Sequence, residues 1–298
     1  MRKKILVIAD RRGWAYEVIA KAIAARLPEY EWSIGYANAI DEINETHQKW
    51  DLIFAMGWKW PNREIRTPRE KTVSVVHSFR TLKGKDMQYW GKYLNERYCA
   101  VGAINLRILE LLSGEVDKIL YTPNGVDTDL FSHSKCPLQM PIKAGWAGRG
   151  DDPEFRGIPI MQEACDRAGI VLRIQSAKEK QLTHKEMVTF YHGLHLYLNM
   201  SESEGCSCTM LEAASCGVPC IATNTGVSTE MITSGQTGYI VDRNVDSLTN
   251  VLQKMTLNRC AEMGQAMRKR IVDEWSWGHQ VNRWNGLIRF GLEYENEQ

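Results

Sequence analysis

Hydrophobic positions along the chain alternate between two periodicities. "KKILVIAD" (3–10) is a continuous apolar run, the pattern of a strand covered on both faces. It passes through Arg11-Arg12-Gly13 into "AYEVIAKAIAARL", whose apolar positions recur at helical spacing. The pairing repeats downstream: "WSIGYA", "DLIFAMG", "KTVSVVHSF", "CAVGAI" and "KILYTPNGV" read as strands, with "MQYWGKYLNERY" and "NLRILELLSG" as helices among them. Residues 127–141, "DTDLFSHSKCPLQMP", interrupt the pattern with turn formers and two prolines, the composition of an interdomain linker. Alternation restarts at "IKAGWAG" and runs through "IVLRIQSA", "HLYLNMS" and "PCIATNTG" to "GYIVD". Two helical stretches close the chain, one near 246–257 and one from Ala261 to Tyr294. Strand–helix alternation predicts parallel sheets with helices on both faces. The interruption predicts two such α/β units, Rossmann-like and doubly wound, facing each other across a cleft.

Composition narrows the class. At 298 residues the chain suits two domains, and 44% apolar with 24% charged residues describes an ordinary globular protein. A formal net charge of +1 gives no reason to expect nucleic acid as a partner. No apolar run approaches membrane-spanning length. Nothing resembling a secretory signal precedes Met1-Arg2-Lys3-Lys4, and Cys206, Cys208, Cys216 and Cys220 fall in or beside apolar elements. A reduced, cytoplasmic protein is expected. Cys206-x-Cys208 lacks the second Cys/His pair that a structural zinc site needs, so small buried side chains account for it better.

Chemistry concentrates in "SESEGCSCTMLEAASCGVPCIATNTG" (201–226). In a doubly wound sheet, ligands bind beyond the C-terminal strand ends, near helix N-termini. Here a strand, a turn with Gly205 and a helix with Ser207 as N-cap follow one another, so unpaired first-turn amides can take a phosphate. The small side chains of Gly205, Ser207 and Thr209 allow its approach. Glu212, one turn into the helix, suits hydroxyls better than phosphate, and Glu204 can accept hydrogen bonds from a sugar. The spacing alone also fits a capping arrangement with solvated glutamates. Arg149 follows a strand and suits a diphosphate; the glycines beside it do not complete a dinucleotide fingerprint. His77 ends an apolar strand, placed for a sugar hydroxyl or for a structural role. Asp151-Asp152 reads as a turn, not a metal pair. The stretch 79–93 mixes Arg80, Lys83, Lys85 and Lys92 with Tyr89, Trp90 and Tyr93, which fits an anionic acceptor, a stacked sugar, a membrane surface or a solvated basic face.

These segments resemble the retaining glycosyltransferases of family 4, which have the GT-B fold. Glu204-Gly205, Leu211-Glu212-Ala213-Ala214 and Gly217-Val218-Pro219-Cys220-Ile221-Ala222-Thr223 match that family's Glu-x7-Glu segment. "TPNGVDTDLF" (122–131) is similar to its interdomain segment, "GWAGR" with Arg156-Gly157 to its phosphate-binding element, and "EWSWGHQVNRW" to its C-terminal aromatic turn and returning helix. The chain differs in having a single glycine, Gly13, in the first loop, Arg156 in place of Lys, Gly102 in place of Ser, and Gly226-Val227 in place of a Gly-Gly pair. The resemblance implies an acceptor-side domain over 1–139, a donor domain over 140–275 and a helix over 276–298 returning to the first domain. It implies a hexosyltransferase-type enzyme moving a sugar from a nucleotide-diphosphate donor to a glycan, lipid-linked or other hydroxyl acceptor, with retention. Catalytic roles fall to His77, Glu204, Arg149 and Arg156, and donor contacts to Gly13, Asn124, Gly205, Ser207, Cys208, Thr209, Met210 and Glu212. No metal and no cofactor beyond the nucleotide sugar are expected, and peripheral contact with the inner membrane face stays open. A nucleotide-sugar epimerase of the same fold and a catalytically idle nucleotide-sugar-binding protein are the alternatives.

Overall fold

The computed structural model describes residues 1–57, 59, 64–133 and 139–294. The chain forms two compact units: Met1–Asn124 with Trp277–Gln298, and Gly125–Ser276.

The first unit contains β1 (Lys4–Ala9), β2 (Glu31–Tyr36), β3 (Leu52–Ala55), β4 (Thr72–Val76), β5 (Ala100–Ala103) and β6 (Ile119–Tyr121). They pair in the order β2-β1-β3-β4-β5-β6, every pair parallel. Their apolar runs are continuous because helices cover both faces: Ile5 to Ala9 and Leu52 to Ala55 are all buried. The Trp277–Glu293 helix packs on this sheet, with Trp284 fully buried and its indole N–H donating to the Pro123 carbonyl at 2.8 Å. Gly102 lies under that helix. A Cβ there would stand 2.4 Å from Thr122 Oγ1 and 3.3 Å from Leu287 Cδ2, so packing accounts for glycine at this position.

The second unit contains β7 (Lys143–Gly148), β8 (Val171–Ser176), β9 (Leu196–Asn199), β10 (Cys220–Thr223) and β11 (Gly238–Val241), in the order β11-β10-β9-β7-β8 and again all parallel. The expected linker is tied into this unit over its first residues. The Arg268 guanidinium donates to the carbonyls of Thr128 (2.9 Å), Phe131 (3.0 Å) and Ser215 (2.7 Å), and Val126 and Phe131 join its core. Residues 134–138 of that linker lie outside the described residues.

The periodicity read from Ala261 to Tyr294 resolves into a Leu257–Arg270 helix, a π-helical turn Ile271–Trp275 and the Trp277–Glu293 helix. Trp275 is buried in the second unit and Trp277 in the first. The helix breaks at Ser276, whose backbone is extended (φ −65°, ψ 153°). Similarly, "KILYTPNGV" forms a strand only over Ile119–Tyr121. Among the described residues, no helix is long and apolar enough to cross a membrane. Their cysteines are thiols, with Cys216 and Cys220 buried and Cys206 and Cys208 only half-buried.

In each sheet the strand order reverses beside the first strand, between β1 and β3 and between β7 and β9. Loops leaving such a pair diverge to opposite faces and open a crevice at the C-terminal strand ends.

Candidate active site

In the second unit the crevice lies between the tips of β7 and β9. The turn after β7 is tight: the Ala177 amide donates to the Gly148 carbonyl at 2.8 Å, and Gly150 has φ +71°, with 2.2 Å from its would-be Cβ to Ser176 Oγ. No other residue fits at 150. This turn presents Arg149, half exposed and paired with Asp151 at 2.9 Å. Asp152 accepts from the Phe155 amide at 3.1 Å and so caps the short helix Pro153–Arg156. The expected Asp151-Asp152 turn is therefore an ion-pair partner followed by a cap. Gly157, at φ +70°, ends the short helix where a Cβ would come within 2.4 Å of the Met200 carbonyl.

That arrangement delivers Arg156 to Glu204, Nη1 to Oε1 2.8 Å, with side chains 23% and 19% exposed. Arg156 Nε is buried and makes no bond among the described residues. Arg243 fixes the same corner, donating to the carbonyls of Met200 (3.0 Å) and Glu154. The sequence reading missed Arg243, whose only signal was a lone arginine after a strand.

The loop after β9 is held equally closely. A Cβ on Gly226 (φ +55°) would lie 2.3 Å from the Gly205 carbonyl and 3.0 Å from Glu204 Cβ. A larger residue would thus push Glu204 and Gly205 out of place. Ser207 caps the Cys208–Ser215 helix by accepting from the Met210 amide at 3.4 Å, as its residue type predicts. First-turn amides and the positive end of the helix dipole therefore stand at the crevice. Two expected donor contacts need correction at the side-chain level. Thr209 turns inward, its hydroxyl donating to the Ala147 carbonyl (3.1 Å) and accepting from Tyr197 (2.8 Å). The Met210 side chain is buried in the core, which leaves only its backbone near the crevice.

Glu212 accepts from the Tyr191 hydroxyl at 2.7 Å. Burial pushes its carboxyl up to about 7, against the opposing effect of the tyrosine bond. Tyr191, unremarked in the sequence, is fully buried and fixes one carboxylate oxygen.

The remaining candidates stand in the first unit. Asn124 is buried at the end of that unit. Gly13 occupies a left-handed turn (φ +73°), and its amide donates to Glu17 Oε2 at 2.5 Å. That amide is already engaged, which removes it as a donor contact in this conformation. Glu17 also accepts from Tyr36 and pairs with Lys21, interactions that pull its carboxyl down to about 2. His77 is enclosed rather than open, its ring 4.5 Å from that of Tyr16 and 6.5 Å from that of Trp284. Burial pushes its pKa down to about 3, although the Met56 backbone bond works the other way. Nε2 has no partner among the described residues, so Nδ1 makes that bond and the neutral ring keeps its lone pair on Nε2. His77 is thus a hydrogen-bond acceptor and not a cation. Among the described residues, no group of three or more His, Cys, Asp or Glu side chains could hold a metal.

Two doubly wound units, one with an arginine–glutamate pair and a capped helix at its switch point, constitute the GT-B architecture. Comparison with solved structures agrees: the chain superposes on Anabaena HepE in complex with UDP and glucose with a TM-score of 0.75 at 14% identity, over 97% of this chain and 100% of that one. Sucrose-phosphate synthase from Thermosynechococcus elongatus gives 0.77 at 15% identity, over 97% and 98%. Residues 179–271 match the family model described as "Glycosyl transferases group 1". The chain is 33% identical over 120 residues to the lipopolysaccharide core biosynthesis mannosyltransferase LpsB of Rhizobium meliloti, covering 38% of this chain and 33% of that one. It is 33% identical over 152 residues to the D-inositol 3-phosphate glycosyltransferase of Gordonia bronchialis, covering 50% and 32%. The matched segments span about a third or less of these curated relatives. Both of these curated relatives are named as transferases, and no observation favours an epimerase.

Proposed function

We propose that the protein is a hexosyltransferase that takes its sugar from a nucleotide diphosphate held in the second unit and passes it to a hydroxyl acceptor on the first. The observation that carries this reading is the Arg156–Glu204 pair set beside the Ser207-capped helix at the β7/β9 switch point. A diphosphate entering there meets Arg149, Arg156 and helix amides, which offset the charge that builds as the leaving group departs. Displacing Glu204 from Arg156 frees that carboxylate to accept bonds from the donor sugar. Glu212, with one oxygen fixed by Tyr191, receives ribose hydroxyls. His77 Nε2 accepts from a sugar hydroxyl. The relatives support a nucleotide-sugar donor: one from Mycolicibacterium smegmatis, 38% identical over 77 residues, is named as GDP-mannose-dependent, and HepE was solved with UDP-glucose.

Retention of anomeric configuration and independence of metal complete the proposal, since the arginines and helix end already supply positive potential where a divalent ion would act. Incubation with GDP- and UDP-sugars, followed by assay of released nucleoside diphosphate and product anomer, tests it. Release that persists in excess chelator and is abolished by Glu204→Gln is expected. Activity restored only by Mn²⁺ overturns the metal-free mechanism, and free epimer in place of transfer overturns the reaction class.

A further inference from the structure

In the second unit, the His184–His192 helix is fixed at its start by a capping box. Thr183 Oγ1 accepts from the Glu186 amide at 3.3 Å, and Glu186 Oε2 accepts from the Thr183 amide at 2.8 Å. In its last turn the helix buries Tyr191 completely. The rings of Phe131, Phe190 and Tyr197 meet the Tyr191 ring edge-on, with centroids 6.1, 5.6 and 6.2 Å away. Enclosed on these sides, the ring has one seat, and its buried hydroxyl needs a partner there. That partner is Glu212 Oε2 at 2.7 Å, on the Cys208–Ser215 helix.

A phenol can only donate to a carboxylate, so the bond fixes the direction of Oε2 and favours the charged form. Burial opposes it and leaves the Glu212 carboxyl at about 7. Burial also lifts the Tyr191 phenol well above its ordinary value, and the Glu212 charge adds to this, so the phenol keeps its proton and goes on donating. Glu212 itself is half-buried. The other titratable groups packed around its helix are engaged elsewhere or neutral. Cys216 and Cys220 are buried thiols pushed upward by burial. The Tyr197 hydroxyl lies on Thr209 and the Ala147 carbonyl. Arg268 serves the carbonyls of Thr128, Phe131 and Ser215. Asp273 and Glu274 pair with Lys269 and Arg270. On the tyrosine's own helix, His184 faces the Phe131 ring and His192 the Ser132 carbonyl.

We propose that Tyr191 is a positioning residue of the donor site, holding the Glu212 carboxylate in the orientation that receives a nucleotide's ribose. This rests on the transferase reading above and adds a residue that acts on the donor only through Glu212. Near neutrality the same bond sets how much of Glu212 is charged, so it sets the pH at which nucleotide binding strengthens.

The test compares the wild type with Tyr191→Phe, which keeps the ring and removes the hydroxyl; melting curves at pH 5, below the Glu212 midpoint, check that the packing survives. In the unliganded chain carrying ¹³C-labelled glutamate, the carboxyl signal lost in Glu212→Gln is followed against pH. Its midpoint is expected near 7 in the wild type and about one pH unit higher in Tyr191→Phe. Titration with UDP and GDP should show Tyr191→Phe about five-fold weaker at pH 7, the change in ionised fraction that such a shift produces, with the gap narrowing by pH 9. The nucleotide's terminal phosphate also titrates, near pH 6, and the Glu212→Gln curve subtracts that contribution. In the Glu212→Gln background, Tyr191→Phe should cost less than about two-fold. An unmoved carboxyl midpoint, or an equal loss of affinity with and without Glu212, would overturn the proposal and make Tyr191 a packing residue. A shifted midpoint with nucleotide binding that ignores Glu212→Gln speaks against the ribose contact and not against the hold of Tyr191 on the carboxylate.

Discussion

Glu212 is the residue whose titration reports most directly on the proposed donor site. Its carboxyl is raised to about 7, above the ordinary value of 4.5, so its contribution to stability is full below pH 4.5 and is lost as pH rises through 7. The unliganded wild type is therefore expected to lose thermal stability relative to Glu212→Gln between those pH values; parallel melting curves for the two would contradict this. Ribose hydroxyls favour the ionised form, so nucleotide affinity should rise as pH passes 7 in the wild type and lose that component in Glu212→Gln. Glu212→Ala should cost about 1–3 kcal/mol of nucleotide binding. For His77, the low pKa means that turnover should show no histidine step near neutrality. A step that disappears in His77→Gln would show that the imidazole ionises. The sequence pointed to both residues through strand-end and helix-start positions. It could not reveal Tyr191 or the enclosure of His77, because those depend on packing between elements distant along the chain.

At the scale of elements, the site depends on close backbone approaches. Gly157→Ala would force a left-handed residue and a Cβ against the Met200 carbonyl. A loss of roughly 1–3 kcal/mol in stability is expected. Donor turnover should fall further than stability alone explains, since Arg156 is the preceding residue. Normal melting temperature and turnover in Gly157→Ala would show that this corner is not rigid. Arg243→Ala should act in the same direction by releasing the carbonyls of Glu154 and Met200. Strands and most helices were legible because apolar runs and helical spacing are local signals. The break at Ser276 was not, since it is visible only in the extended backbone there. The inward turn of Thr209 was equally hidden, being set by Tyr197 and Ala147 across the sheet.

For the whole molecule, nucleotide-diphosphate binding is proposed for the second unit and acceptor binding for the first. The two switch points were implied by strand–helix alternation, and the basic loops of the first unit were visible as a composition bias within 79–93. The most direct measurement is calorimetric titration of the full chain with GDP and UDP, and with the corresponding nucleosides, for the wild type and for Arg149→Ala with Arg156→Ala. At least one diphosphate is expected to bind the wild type about ten-fold or more tightly than its nucleoside, and that margin should collapse in the double variant. Nucleoside and nucleoside diphosphate binding equally well, or a margin that survives loss of both arginines, would contradict the placement of the diphosphate at the β7/β9 switch point.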